Sequence, residues 1–290
     1  MMEIFEKAYA KVNISLDVLG LLPNGYHEMR MVMQSVSLCD DVFISLNDSG
    51  FVNCESDAAY LPKDEGNIAV RAAKKFFEAA GMESAGANIR ITKRTPTCAG
   101  MGGGSSDGAA VLRGLNRLCG NPFSRAELEA LGAQVGSDIP FCVAGGTQLA
   151  TGTGTVLEDL PPMPDCFFVI CKPSFAIRTP ELFAKIDARR SRLHPDTAGI
   201  LSALEQGKLE SISCRMYNVF EDVLPRSCGD IARLKSRLLD FGALGSVMTG
   251  TGSALFGIFD NEAAAESACS QLKKECPECW VAKPVGKILD

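Results

Sequence analysis

The chain has little that would point to metal chemistry, a membrane or a nucleic acid. Among its 290 residues only His27 and His194 are histidines, which excludes a multi-histidine metal centre. No run approaches the roughly eighteen consecutive apolar residues of a membrane-spanning helix, so none is expected. A net charge of -6 argues against nucleic acid as a partner, because neutralising phosphates takes clustered Lys and Arg. The start of the chain, from Met1 to Tyr9, carries Glu3 and Glu6 and no apolar h-region. No secretory leader is therefore expected, and the cytoplasm is the expected compartment. There the 12 cysteines would be reduced thiols. Only Cys276 and Cys279 have C-x-x-C spacing, and without a second such pair or a nearby histidine that spacing makes a poor zinc motif. Internal repeats and low-complexity segments are missing as well.

What is present is an ordinary globular composition, 46% hydrophobic and 22% charged, on a chain long enough for two cores of usual size. From Ala8 to Val18 the even positions (Ala8, Ala10, Val12, Ile14, Leu16, Val18) are apolar and the odd ones carry Tyr9, Lys11, Asn13, Ser15 and Asp17. This period of two predicts a half-buried strand with Lys11 and Asn13 on its polar face. A turn at Pro23-Asn24-Gly25 leads to strand-like segments up to about Cys54. Helical spacing follows over Asn67–Ala80, with Gly81 as its terminator, then a short strand over Ala87–Lys93. A helix is expected from about Ser106 to Leu118, another after the capping box Ser124-Arg-Ala-Glu127, and a helix end and restart at Gly136-Ser137-Asp138-Ile139-Pro140. A strand pair is expected around 145–157.

The proline cluster at Leu160-Pro161-Pro162-Met163-Pro164 suits a boundary between a first domain, 1–160, and a second, 161–290. Beyond it a buried strand is expected over Cys166–Cys171, and Thr179 as the N-cap of a helix whose first residue is Pro180. Helical patterns run on to about Phe241. Strands at Ser246–Thr249 and Ala254–Phe259, a helix over 261–275 and a strand near 280–285 complete an order that resembles a ferredoxin-like unit.

The richest stretch in chemistry is Pro96-Thr97-Cys98-Ala99-Gly100-Met101-Gly102-Gly103-Gly104-Ser105-Ser106, continuing to Ala110. Four glycines within five positions, followed by two serines and a helix-compatible run, suit an anion cradle opening into a helix. The loop is not a Walker A loop, since no lysine follows Lys93 before the helix, and it lacks the third glycine of a Rossmann fingerprint. A tight strand-to-helix connection that uses glycine for sterics alone is the plainer reading. Lys11 by itself suits a solvated strand lysine, and Asp138 an N-cap. Taken together, a carboxylate and a cation near a phosphate loop are what phosphoryl transfer to an alcohol requires. Gly250-Thr251-Gly252-Ser253 suits a hairpin turn or a ligand contact alike, and Tyr26-His27 suits stacking and hydrogen bonding or simple packing.

These segments in this order resemble the GHMP kinase superfamily, from Lys7-Ala-Tyr-Ala-Lys-Val-Asn13 to Met248-Thr-Gly-Thr-Gly-Ser-Ala254. Ala10 to Leu16, Asn24-Gly25-Tyr26-His27-Glu28, Gly136 to Phe141 and the central helical motif Tyr217-Asn-Val-Phe-Glu221 are most similar to its branch acting on a cytidine diphosphate-linked methylerythritol. Thr97-Cys98 stands where a small apolar pair is usual, and Gly108 where alanine is usual. The resemblance implies an α+β two-domain GHMP kinase fold, with a ribosomal S5 domain 2-like N-terminal domain and a ferredoxin-like C-terminal domain. It implies transfer of a phosphoryl group from ATP to the 2-hydroxyl of the methylerythritol moiety, with Mg2+ as cofactor. By motif match Asp138 would orient or deprotonate that hydroxyl, and Lys11 would stabilise charge. The loop Pro96–Ser106 would hold ATP, while Asn13, Tyr26, His27, Asp138 and Phe183 would bind the second substrate. The implied partners are these small molecules, with no nucleic acid or membrane, for a monomer or weak homodimer. A superfamily kinase acting on a sugar, homoserine or mevalonate, and a non-catalytic nucleotide sensor, remain alternatives.

Overall fold

The computed structural model describes residues 3–189 and 193–289, so Met1 and Met2 of the acidic start lie outside the described residues. Two long strands frame the first sheet, β1 (Glu3–Leu21) and β2 (His27–Asn47), paired antiparallel around the Pro23-Asn24-Gly25 turn. β3 (Val52–Ser56) follows. Helix α1 (Ile68–Ala79) is capped by the Asn67 side chain, and its Ala69, Ala72, Ala73, Phe76 and Phe77 are buried. β4 (Gly86–Thr92) leads into the glycine loop and α2 (Gly103–Leu118), whose start lies three residues ahead of the expected Ser106 because Gly102, at φ 68°, turns the chain directly into the helix. α3 (Arg125–Ala133) carries the expected capping box, and α4 (Ile139–Ala144) follows at once. β5 (Thr147–Gly152) and β6 (Val156–Asp159) bring this sheet to six strands, and a seventh joins it from later in the chain. β2 is long enough to pair with β1 along one edge and, on the other, with β5 through Met29–Gln34 and with β4 through Asp41–Asn47.

The chain then enters a four-stranded sheet of order β11-β7-β10-β9, made of β7 (Phe167–Cys171), β9 (Gly245–Met248), β10 (Leu255–Phe259) and β11 (Cys279–Ala282). All its pairings are antiparallel, which is the ferredoxin-like arrangement. Helices α5 (Thr179–Asp187), α6 (Thr197–Glu205), α7 (Leu209–Ser213), α8 (Gly229–Asp240) and α9 (Glu262–Leu272) belong to this half. Between α7 and α8 the two-residue strand β8 (Tyr217–Asn218) leaves it and pairs parallel with β1 at Ser15 and Leu16.

Three expectations need correction. Tyr217–Glu221 is not a helical motif throughout, because its first two residues are a strand and a 3-10 turn follows over Val219–Val223. Asn218 sets this, since its side chain accepts from Phe220 N and donates to the carbonyls of Met248 (2.7 Å) and Gly250 (2.8 Å). Thr179 is the first helical residue rather than the N-cap, its hydroxyl being engaged with Thr251 at 2.8 Å. The polar face of β1 is not half exposed, for Lys11, Asn13, Ser15 and Asp17 are all buried. Register shifts between Tyr9 and Lys11 and between Asn13 and Ser15 also interrupt the period of two. Ala10, Val12 and Ile14 join the apolar cluster of Phe168, Ile170 and Phe256, whereas Ala8, Leu16 and Val18 join that of Phe76, Leu112 and Leu115.

Candidate functional site

β1 carries Lys11 into the molecule, where the start of α2 and the 249–250 turn cover it. Its amide donates to Met101 O (3.0 Å), its ammonium donates to Asn13 Oδ1 (2.9 Å), and the residue is 4% exposed. The same ammonium lies 3.6 Å from Asp138 Oδ2, on a side chain 33% exposed. Asp138 precedes α4 but makes no capping bond, so its carboxylate is free for the cleft. Gly102 packs against this pair. A Cβ there would stand 3.2 Å from Lys11 Cγ and 3.7 Å from Asp138 Oδ2, so a side chain would crowd the lysine stem.

Gly102 is also the N-cap of α2, and the first helical amides, those of Gly103, Gly104 and Ser105, have no partner inside a helix. With the positive end of the helix dipole they form an anion site. The rest of the loop is divided by role. Pro96, Ala99 and Met101 are buried, while Thr97 and Cys98 are exposed, Cys98 at φ 51°. Ser105 is half-buried with no side-chain hydrogen bond, whereas Ser106 is buried and donates to Gly103 O (2.8 Å). Ser106 thus braces the helix start instead of facing the cradle.

Next to the cradle lies a cleft of about 1030 Å³ whose lining includes Lys11, Gly100, Asp138, Gly250 and Thr251. Tyr26, 67% exposed, stands on its rim. His27 stacks on Phe183, with ring centroids 4.4 Å apart and planes at 28°, and Phe183 meets Phe220 edge-on. The cleft therefore joins a flat aromatic wall to a carboxylate–ammonium pair at a phosphate-sized anion site. That combination can hold a planar base at one end and transfer a phosphoryl group at the other.

Among the residues expected to bind the second substrate, Asn13 alone does not line the cleft. It is fully buried, and its Oδ1 accepts from Lys11, Thr249 and the Gly250 amide, so it joins β1 to the second half of the chain. Sequence reasoning missed Thr249 and Asn218, which complete that joint, and Asp187, whose Oδ1 lies 2.9 Å from His27 Nε2 on the cleft wall. Only tertiary packing brings these together, because the partners are separated by up to 236 residues.

The family model for the GHMP kinases N terminal domain matches residues 67–146, and that for the GHMP kinases C terminal matches residues 200–278. The chain is 40% identical to a 4-diphosphocytidyl-2-C-methyl-D-erythritol kinase of Acetivibrio thermocellus, over 98% of this chain and 100% of that one. To the kinase of the same description from Clostridium tetani it is 37% identical, over 96% and 99%. A crystal structure of a 4-(cytidine 5'-diphospho)-2C-methyl-D-erythritol kinase superposes with a TM-score of 0.83 at 30% identity, covering 98% of this chain and 100% of that one. A homoserine kinase from Cytophaga hutchinsonii shares the fold at a TM-score of 0.77 and 22% identity, over 99% and 96%.

Proposed function

The chain belongs to the GHMP kinase family, among its 4-diphosphocytidyl-2-C-methyl-D-erythritol kinases, and from that premise we propose that its cleft transfers the γ-phosphoryl group of ATP to the 2-hydroxyl of the cytidine diphosphate-linked methylerythritol. The products are the 2-phosphate, ADP and the proton released by the hydroxyl. One observation carries the reading: Lys11 and Asp138 form a pair 3.6 Å apart against Gly102, where the phosphate cradle opens into the cleft.

In this reading the amides of Gly103, Gly104 and Ser105 receive the ATP phosphates. Asp138 accepts the hydrogen bond of the substrate hydroxyl and aims its oxygen at phosphorus, taking up the proton as the new bond forms. Lys11 offers positive charge to the oxygens of the transferring group. Its own position is fixed by Asn13 and by the backbone bond to Met101. Transfer of this kind passes through a loose transition state, so positioning and electrostatics supply most of the acceleration. Tyr26, His27 and Phe183 hold the cytosine ring, and the walls near Thr179 and Thr251 border the polyol.

Mg2+ suits the donors present, for Asp138 and Ser105 offer hard oxygen ligands that no protein hydrogen-bond donor uses. When bound it would supply positive charge against the phosphates. Among the described residues no helix is long and apolar enough to cross a membrane. We place the protein in the cytoplasm as a monomer or weak homodimer.

The test is ADP release with the cytidylyl substrate set against homoserine, mevalonate and sugars, with and without Mg2+. Turnover confined to another alcohol would overturn the substrate while leaving the kinase. Asp138→Asn should lower kcat by about 10²–10⁴-fold with ATP binding by calorimetry retained. Undiminished turnover in Asp138→Asn and Asp138→Ala would remove Asp138 from the mechanism.

A further inference from the structure

Three elements bring the parts of the site together: α2 opens on the phosphate cradle, β1 carries Lys11, and Asp138 stands at the head of α4. One side chain outside the cleft lining is bonded to β1 and α4 from α2. Arg113 lies in α2 and is 4% exposed. Its Nη1 donates to the carbonyl of Cys142 (2.6 Å) and, at 3.5 Å, to that of Val143, both in the last turn of α4. Its Nη2 donates to the carbonyl of Lys7 (3.0 Å) and its Nε to Glu6 Oε2 (3.1 Å), both on β1. Glu6 is buried too, and its other oxygen accepts from Arg117, one turn further along α2.

The shortness of α4 explains why a guanidinium belongs there. All six of its residues are buried, and the carbonyls at its end need donors from outside the helix. The Gly145 amide serves Phe141 and the Ile288 amide serves Ala144, which leaves Cys142 and Val143 to Arg113. A cation at a helix C-terminus is also favoured by the dipole. A helix of this length spans about 9 Å, so whatever seats its last turn also seats Asp138 at its first. The same fork holds β1 at Lys7, on the strand that continues to Lys11.

We propose that Arg113 is a positioning residue for the phosphoryl transfer, holding β1 and α4 in the places that set Lys11 and Asp138 against each other and against the cradle. The inference rests on the reading that Lys11 and Asp138 carry the transfer. It has its own kinetic signature. Arg113 and the cradle amides belong to one helix, so loosening Arg113 leaves the cradle whole and lets β1 and α4 shift against it. ATP binding is then kept while the chemical step suffers.

Arg113→Lys keeps the charge opposite Glu6 but loses the planar fork. Well below its Tm, its kcat should fall about tenfold or more, with Kd for ATP by calorimetry within about threefold of wild type. Arg113→Met, which donates nothing while Arg117 still covers Glu6, should fall further. Glu6→Gln is the control for stability. It removes the buried charge and keeps an oxygen for Nε, so Tm should drop while kcat stays within about twofold. A kcat near wild type in the Arg113 variants that fold would overturn the proposal, as would ATP affinity that falls as far as kcat. An equal kcat loss in Glu6→Gln would tie the effect to stability and overturn it too. If neither Arg113 variant folds, Arg113 serves the core and not the site, and the proposal falls. Asp138→Asn assayed alongside separates the two readings. A loss there with none in the Arg113 variants removes Arg113 alone, whereas no loss in any of them removes the assignment of the transfer to Lys11 and Asp138.

Discussion

Gly100 and Gly250 meet backbone to backbone at the mouth of the cleft. A Cβ on Gly100 would lie 2.2 Å from the carbonyl oxygen of Thr249, and one on Gly250 would lie 2.8 Å from the oxygen of Gly100. Both obstacles are main chain and cannot rotate away. Gly100→Ala should therefore cost more than about 2 kcal/mol, combining a left-handed φ of 73° with the clash, and it should raise KM for ATP; thermal denaturation and steady-state kinetics check both. Gly108 differs in kind, because its neighbour is a side chain. A Cβ there would stand 2.9 Å from Ile68 Cγ2. The better helix propensity of alanine, about 1 kcal/mol, is then outweighed by overpacking of about 1–3 kcal/mol. Gly108→Ala should be destabilised, and adding Ile68→Leu, which removes that methyl branch, should recover most of the loss in Tm. What occupies position 68 thus gives the glycine at 108 a physical reason.

At the scale of elements, the short β8 strand joins the two sheets through one amide side chain. Asn218→Ala would leave the carbonyls of Met248 and Gly250 without their donor and the Phe220 amide without its acceptor, a cost of about 2–4 kcal/mol. Chemical denaturation should show it, together with weaker binding in the cleft that Gly250 lines. This element was the least legible in the sequence. Val219, Phe220 and Glu221 carry helix-compatible spacing, and the strand before them exists only because β1 supplies an edge some two hundred residues away. Elements fixed by their own residues were readable, as with the helical spacing of α1, the Ser124–Glu127 box of α3 and the β7–β11 unit. The site divides in the same way. Loop, Lys11 and Asp138 could be picked out by residue type, but the burial of Asn13 depends on Thr249 and Gly250, neither of which lies near it in the chain.

At the scale of the whole molecule, the segment after β11 runs back across the first sheet. Val285 donates to Ser35 O (2.9 Å) and accepts from the Gln34 side chain, Ile288 donates to Ala144 O (2.7 Å), and Lys287 pairs with Asp159 (2.9 Å). Arg125, together with Lys287, holds the Asp159 carboxyl well below the usual carboxylate range. This contribution is present above the ordinary value of 3.8 and is lost as pH falls below it. Ending the chain after Ala282 should lower Tm by at least about 4 °C and reduce, without removing, the Asp159 part of the acid sensitivity, since Lys287 is lost and Arg125 stays; thermal scans from pH 3 to 7 measure both. The bulges of β1 bear on a different property of the molecule, its tolerance of altered length. Between Ala8 and Val18 the strand changes faces twice, and Lys11 points at Asp138 only in the register that these shifts set. Inserting or deleting a single codon in this stretch would turn Lys11 away from the acid and drive Ala10 or Val12 into its place, whereas many single substitutions there would keep every other side chain where it belongs. Natural and laboratory variation should therefore reach β1 by exchange of residues and almost never by a change in their number.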